Sequence, residues 1–442
     1  MRTSSCSGPR TGMHWRAPWP LMLALWFVVA HAQSSPETNV TLPLSLDAAA
    51  QLAAARTPQV QAQLLRAQAA HDDAVRAGRL PDPKLVAGID NLTATGPQAF
   101  DAAADDMTMR TFGVMQEIPA RAKRKAMRHV ADADARLADS DAVGLRLAAK
   151  RAAASAWVML WAAQRERVLL DQLRDQSALA SAAAKARLAG GGGSATDALA
   201  ARAATVELEN KIDAADADIA VARAALRRWI DQPADEALAE APDFATLPVP
   251  PAQLQGEVDR QGPLLGWNAR EDQAQAKLEL AKAGTHPDWS VSLNYGERIH
   301  RADMISVMVG FSLPLFPGNR QDRDISARYA ERDAVLAEHE DARRAQREAV
   351  AVALAAWQGD DKQVRRYRDE LLPLAADRSR TALAAYRGGG SLQPWLDARR
   401  DEIDTRTAYA QTLAAWGKTW AELAYLIPND EPARITLPEV SP

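Results

Sequence analysis

The chain has 442 residues, of which 47% are hydrophobic, 5% aromatic and 25% charged. Length alone would allow two or three globular domains, but few aromatics beside abundant alanine and charge suit long, closely packed helices better than large globular cores. The net charge of −4, with acidic and basic residues interleaved, gives no basis for nucleic-acid binding.

Residues 1–32 read as an export signal. Arg10 and Arg16 precede an apolar run over 21–29, and Ala30-His31-Ala32 forms a small-residue cleavage site before Gln33. The run is too short to span a bilayer. Met13 is an alternative start. Cys6, the single cysteine, precedes the run, so the processed chain has no thiol for a disulfide, for catalysis or to carry lipid at the cleavage point. Residues 33–442 hold no long apolar stretch, so entry into a membrane requires strands.

The first half, 33–230, opens with helices predicted over 45–56 and from Pro58 to about 78. Pro81 and Pro83 end them. A weakly alternating strand follows over 84–92, then a polar, acidic loop over 93–106 and a second strand over 107–118. No proline interrupts 121–189, so one helix of roughly 100 Å is predicted there. Apolar positions recur at three- and four-residue steps (Leu145, Ala149, Ala152, Ala156, Met159, Ala163), and the small side chains among them permit close helix–helix approach. Glycines 190–193 turn the chain, and Ser194 caps the next helix with Asp197 three residues on. The segment 231–251 carries five prolines and reads as a linker or a small packed belt.

The second half, 252–428, repeats this layout, followed by a tail over 429–442. Its predicted hairpin, 289–313, alternates more cleanly. Trp289, Val291, Leu293 and Tyr295 oppose Ser290, Ser292 and Asn294; Ile305, Val307, Val309, Phe311 and Leu313 oppose Ser306, Met308, Gly310 and Ser312. Period-two alternation gives one apolar and one polar face. The apolar face can meet a soluble core or lipid, and an export signal with no soluble sheet to join favours lipid. A helix over 319–387 is interrupted only by Pro373. Glycines 388–390 and Ser391 then repeat the turn and cap, with Pro394 in the first turn. Matching marks recur about two hundred residues apart, too far for a solenoid unit. They suit two pseudo-symmetric halves of one wall.

Together these features resemble the TolC family of outer-membrane efflux proteins over essentially the whole processed chain. Gln116-Glu117-Ile118-Pro119 with Lys123-Arg124, and Leu313-Pro314-Leu315-Phe316-Pro317-Gly318-Asn319-Arg320, resemble its strand-to-helix junctions. Arg187-Leu188-Ala189-Gly190 with Ser194 and Asp197, and Tyr386-Arg387-Gly388 with Ser391 and Leu396-Asp397-Ala398, resemble its helix tips. The resemblance implies a mainly α protein with a membrane β-barrel. In it a homotrimer gives four strands per chain to a twelve-stranded barrel, and duplicated helical hairpins form a periplasmic tunnel. Lipid would meet Trp289, Val291, Leu293, Val307, Val309 and Phe311. The lumen would carry Ser290, Ser292, Asn294, Ser306 and Ser312. Asp197, Tyr386 and Asp397 would be periplasmic gate candidates. Arg187, Leu188, Gly190, Ser194, Arg387, Gly388 and Ser391 would form the tips that dock a periplasmic adaptor (membrane fusion protein). Pro394 replaces a second gate carboxylate, and Gly390 replaces a basic residue of some members, implying a different latch.

The layout and the Met107-Thr108-Met109 segment look most like the branch paired with heavy-metal resistance-nodulation-division pumps of the inner membrane. Met109 and Met115 read as packing residues, and the histidines lack ligand spacing, so selection of a metal falls to the pump. No catalytic, cofactor-binding or metal-site residue is expected. A periplasmic adaptor or coiled-coil scaffold is the alternative, as is the same channel serving organic compounds. An enzyme would need clustered His and carboxylates, a serine elbow or a phosphate loop, and the sequence holds none.

Overall fold

Local signals start the first elements. Ser45 Oγ accepts the Ala48 N–H at 3.1 Å and opens helix α1, Leu46–Arg56. Pro58, whose missing N–H costs nothing in a first turn, begins α2, Pro58–Arg76. The computed structural model describes residues 43–231 and 237–428, all within the unit Leu42–Pro442. The expected leader at 1–32, the tail at 429–442 and part of the 231–251 segment lie outside the described residues.

Strands β1, Lys84–Asp90, and β2, Met109–Ile118, follow the prolines. The first strand stops short of the expected residue 92 because Asn91 takes a left-handed φ of 57°. Asn91 Nδ2 donates to Met107 O, and Thr108 Oγ1 donates to Asn91 O, closing the neck of the acidic loop. Then come α3, Arg121–Asp171, α4, Arg174–Ala189, and α5, Ala195–Ile230. The short α6, Pro251–Gly256, and two 3-10 turns lead to α7, Trp267–Ala283. Strands β3, Trp289–Arg298, and β4, Met304–Phe311, precede α8, Gln321–Arg366, α9, Leu372–Arg387, and α10, Gln393–Ala424.

The uninterrupted helix expected over 121–189 is instead broken. Leu173 N–H bonds to Leu170 O, a three-residue step, and α4 restarts at Arg174. The second half breaks at the matching place by another route. A π-turn, Tyr367–Leu371, absorbs the missing N–H of Pro373, with Leu372 N–H reaching back five residues to Tyr367 O.

Alanine sets how closely the helices pack. Ala49, Ala53, Ala153 and Ala154 are fully buried where α1 meets α3. The larger side chains gather at the belt. Phe244 is buried edge-on against Trp161, Trp416 and Trp420, with centroids 5.4–5.7 Å apart. Backbone oxygens of the same segment take the indole N–H groups: Trp357 donates to Phe244 O and Trp420 to Thr246 O. Trp157 donates to Leu44 O, and Leu44 pairs in parallel with Leu238.

Candidate channel wall and helix tips

The four strands form one antiparallel sheet in the order β1-β2-β3-β4. Register aligns Ile118, Trp289 and Phe311 in one row, then Gln116, Val291 and Val309, then Leu85, Val114, Leu293 and Val307. Ala87, Phe112, Tyr295 and Ile305 make the next row of the same face. The six residues expected to meet lipid therefore share one exposed face, apolar across these rows except at Gln116. Ser290, Ser292, Asn294 and Ser306 share the other. Ser312 lies past the end of β4. Its hydroxyl accepts the Asp288 N–H at 3.0 Å, so it closes the hairpin base instead of extending the polar face.

All four glycines of the sheet, Gly88, Gly113, Gly296 and Gly310, stand on the polar face. A Cβ on Gly113 would strike Asn294 Oδ1, one on Gly310 would meet Ser290 Oγ at 2.7 Å, and one on Gly296 would meet Met109 Sδ at 2.6 Å. Side chains of adjacent strands lean over these glycines, as a face that curves inward requires.

Asp288 joins sheet to helix. Its carboxylate accepts Ala120 N–H at 2.8 Å and Lys123 Nζ at 2.7 Å, tying the start of α3 to β3. Partial burial raises this carboxyl, but the lysine ammonium and the backbone N–H outweigh it, and the net shift is downward.

The break between α3 and α4 is held by α10. Leu169 O, released because Leu173 N–H bonds elsewhere, accepts Arg406 Nη1 at 2.9 Å. Leu173 O accepts Arg399 Nη2 at 2.7 Å, and Ser177 Oγ accepts Arg399 Nε at 3.2 Å. Glu402 bridges the two guanidiniums, at 2.9 Å to Arg399 and 2.8 Å to Arg406. Arg399 and Glu402 are buried to within 2% of complete. Burial lowers the Arg399 pKa and Glu402 opposes that shift. Nothing in the residue order announced this joint, because the break carries no proline and its acceptors are Leu169 O, freed by it, Leu173 O, shared with the Ser177 N–H, and a serine hydroxyl.

At the tips, Arg187 does the linking. Its Nη1 donates to Tyr386 O at 2.9 Å and Gly390 O at 3.0 Å, and its guanidinium lies 4.7 Å over the Tyr386 ring. It thereby adds a charged donor to the carbonyls of the turn that ends α9, where positive charge is favoured. Tyr386 is fully buried, and its hydroxyl has no hydrogen-bond partner, so it makes no link to Asp197. Asp197 offers its backbone N–H to Ser194 Oγ at 3.0 Å, completing the cap of α5. Asp397 is half-buried and accepts Gln393 Nε2 at 2.8 Å. Leu188, Gly190, Arg387, Gly388 and Ser391 are exposed at the turns. Ser391 does not cap α10 in the way Ser194 caps α5. Its Oγ accepts only the Gln393 N–H at 3.4 Å, and the helix begins two residues later. Trp395 and Leu392 are buried beside Tyr386 and fill the space between the tips.

The fold is similar to those of several solved membrane proteins. It superimposes on a membrane protein from Pseudomonas aeruginosa with a TM-score of 0.73 at 20% identity, covering 86% of this chain and 92% of that one. The outer-membrane channel OprN gives 0.73 at 18% identity, covering 86% and 89%. CusC, whose crystal structures concern folding and transmembrane channel formation, gives 0.71 at 14% identity, covering 87% and 92%. Residues 263–427 match the family model for outer membrane efflux protein, a family of transport channels and not of enzymes. No curated protein matches the chain in sequence.

Proposed function

We propose that the chain is the outer-membrane exit duct of a tripartite efflux system. The observation that carries this is the sheet: one face is apolar but for Gln116 across its rows, the other largely polar and glycine-relieved, and strands β1 and β4 are open edges. A bilayer tolerates no open edge. Among the described residues no helix is long and apolar enough to cross a membrane. Three copies edge to edge close twelve strands, with Trp289, Val291, Leu293, Val307, Val309 and Phe311 towards lipid. The two halves, 33–230 and 252–428, then supply alternating segments of one periplasmic tunnel as a duplicated unit.

In this reading the tips at 187–194 and 387–391 dock a periplasmic adaptor, which joins the duct to an inner-membrane resistance-nodulation-division pump. Asp197, Tyr386 and Asp397 lie at the tunnel's narrow end. The duct conducts passively, and its cargo is heavy-metal cations. Membrane fractionation tests the core of the proposal. Heat-resistant trimers from outer membranes that conduct in planar bilayers support it; a soluble periplasmic protein without conductance replaces it with an adaptor or scaffold. Deletion followed by growth on copper, silver, zinc, cobalt and cadmium tests the cargo, and unchanged tolerance to all five points to organic compounds.

A further inference from the structure

Met109, Met115, Met304 and Met308 are four of the chain's ten methionines, and register places all four on the polar face of the sheet. They fall at two levels. Lys84, Met115, Ser292 and Met308 form one row across the four strands, so two thioethers flank a serine hydroxyl, with the lysine ammonium turned to Glu117 at 2.6 Å. Four residues along β3, Gly296 pairs with Met304. Met109 stands in the row beyond but leans back, with its Sδ 2.6 Å from the point a Cβ of Gly296 would occupy. Gly296 is thus a seat for one thioether and the direct cross-strand partner of a second. The two levels are roughly 13 Å apart at strand rise.

Core filling does not account for Met304 and Met308, and Met109 and Met115 are only half-buried. Met304 is 43% exposed and Met308 62% exposed. The rest of the face is mostly glycine or bears hydroxyl, amide or charged groups: Thr111, Ser290, Ser292, Asn294 and Ser306, with Lys84 paired to Glu117 at 2.6 Å. Oxygen and ammonium groups do not distinguish a soft cation from the sodium, magnesium and calcium of the medium; thioethers do. Two such ligands per level, with a hydroxyl or water completing the shell, hold a soft ion without trapping it, as a conduit requires.

We propose that the four thioethers form two soft-metal stations along the pore wall, one at Met115 and Met308 and one at Met109 and Met304, that take monovalent Cu(I)- or Ag(I)-class cations. The location along a pore rests on the reading of this face as the lumen; the binding itself does not. The step is ligand exchange alone, with water leaving and thioether sulfur entering. Silver(I), which needs no reductant, is the probe.

The purified full chain is titrated with silver nitrate in chloride-free buffer, alongside a variant carrying M109L, M115L, M304L and M308L. Leucine keeps bulk and apolarity and removes the sulfur. The expected result is two silver ions per chain lost in the fourfold variant, one lost in M115L/M308L and the other in M109L/M304L. Equal silver binding by the wild type and the fourfold variant overturns the proposal. A variant that does not fold is bypassed by labelling the methionine methyls of the wild-type protein with carbon-13. Silver should then shift the four resonances of these residues, and four unmoved resonances overturn the proposal as well. In planar bilayers, silver should reduce the wild-type current at concentrations about tenfold below those needed for the variant, because only the wild type holds the ion. Absence of any current from the wild type removes the pore reading and leaves the titration to judge the stations.

Discussion

At the first tip the N–H groups of Gly190, Gly191 and Gly192 bond back to the carbonyls of Ala186, Leu188 and Arg187. At the second, those of Gly388, Gly389 and Gly390 bond back to Ala384, Tyr386 and Ala385 in the same pattern. The central glycine has a positive φ in both, 73° at Gly191 and 105° at Gly389. The backbones are copies, yet the side chains are not. The bonding pattern makes Arg187 correspond to Ala385, and Leu188 to Tyr386. One tip supplies the guanidinium; the other supplies the ring and the carbonyls that receive it. A duplicated fold has therefore kept its turn geometry and divided its contacts into a donor half and an acceptor half. The helix breaks differ in the same spirit. Pro373 imposes the second from within, whereas the first is held from outside by Arg399, Glu402 and Arg406.

The strongest way to break this comparison is at the first break. Glu402→Ala leaves two arginines without their bridging carboxylate, one of them fully buried, and should cost about 3–5 kcal/mol. Denaturant unfolding of the purified protein measures it. Pro373→Ala at the second break should be neutral or stabilising, since it restores a helix hydrogen bond. Equal losses at both would mean that the breaks do not differ in origin.

Arg187→Ala should remove about 2 kcal/mol, the range of a charged hydrogen-bond donor, and loosen one tip from the other. Limited proteolysis at the glycine turns reads the loosening. Arg187→Lys should not restore the tip, because an ammonium lacks the planar fork that spans two carbonyls. Full protection in Arg187→Ala would show that apolar packing around Trp395 holds the tips alone.

Asp288 sharpens the contrast between the half-way points and the tips, because its partners Ala120 and Lys123 lie in the other half of the chain. Its carboxyl is held below the ordinary value of 3.8. A depressed acid contributes stability above its unfolded value and loses it as pH falls through the folded one. The contribution is therefore complete at neutral pH and is lost only in strong acid. Asp288→Asn should narrow the difference in stability between neutral and acid conditions, as followed by thermal unfolding at each pH. An unchanged difference would remove the junction from the acid response.

The smallest effect separates the two caps. Ser194→Ala should cost about 1 kcal/mol, an ordinary capping loss, and Ser391→Ala only a few tenths, because its single long contact precedes the helix. Equal costs would make the two caps equivalent in spite of their geometry.

Much of this was legible in the residue order because it is written locally. The alternation of 289–296 gives the two faces of β3, and Ser45 and Ser194 are true caps. Glycines at 191 and 389 answer a backbone demand that local sequence expresses directly. The break at Gln172 and Leu173 was not legible. It has no proline or glycine, and its carbonyls are satisfied by arginines more than two hundred residues away. Arg187 could be placed at a tip but not on its partners, since a side chain's reach across two hairpins depends on how they pack. Tyr386 falls where a linking residue is expected, and the structure adds that its hydroxyl is buried without a partner within the chain.

Element types, turn chemistry and the alternating sheet faces are written in the residue order, because each depends on periods and caps spanning only a few residues, and the near-twofold layout follows from their recurrence. Tertiary structure decided which copies touch. It aligned the methionines of β2 and β4 on either side of β3, set Arg187 over Tyr386, and buried Arg399 and Glu402 against an opened helix. Those contacts join residues far apart in the chain. They follow from strand register and helix packing, which local propensity does not specify.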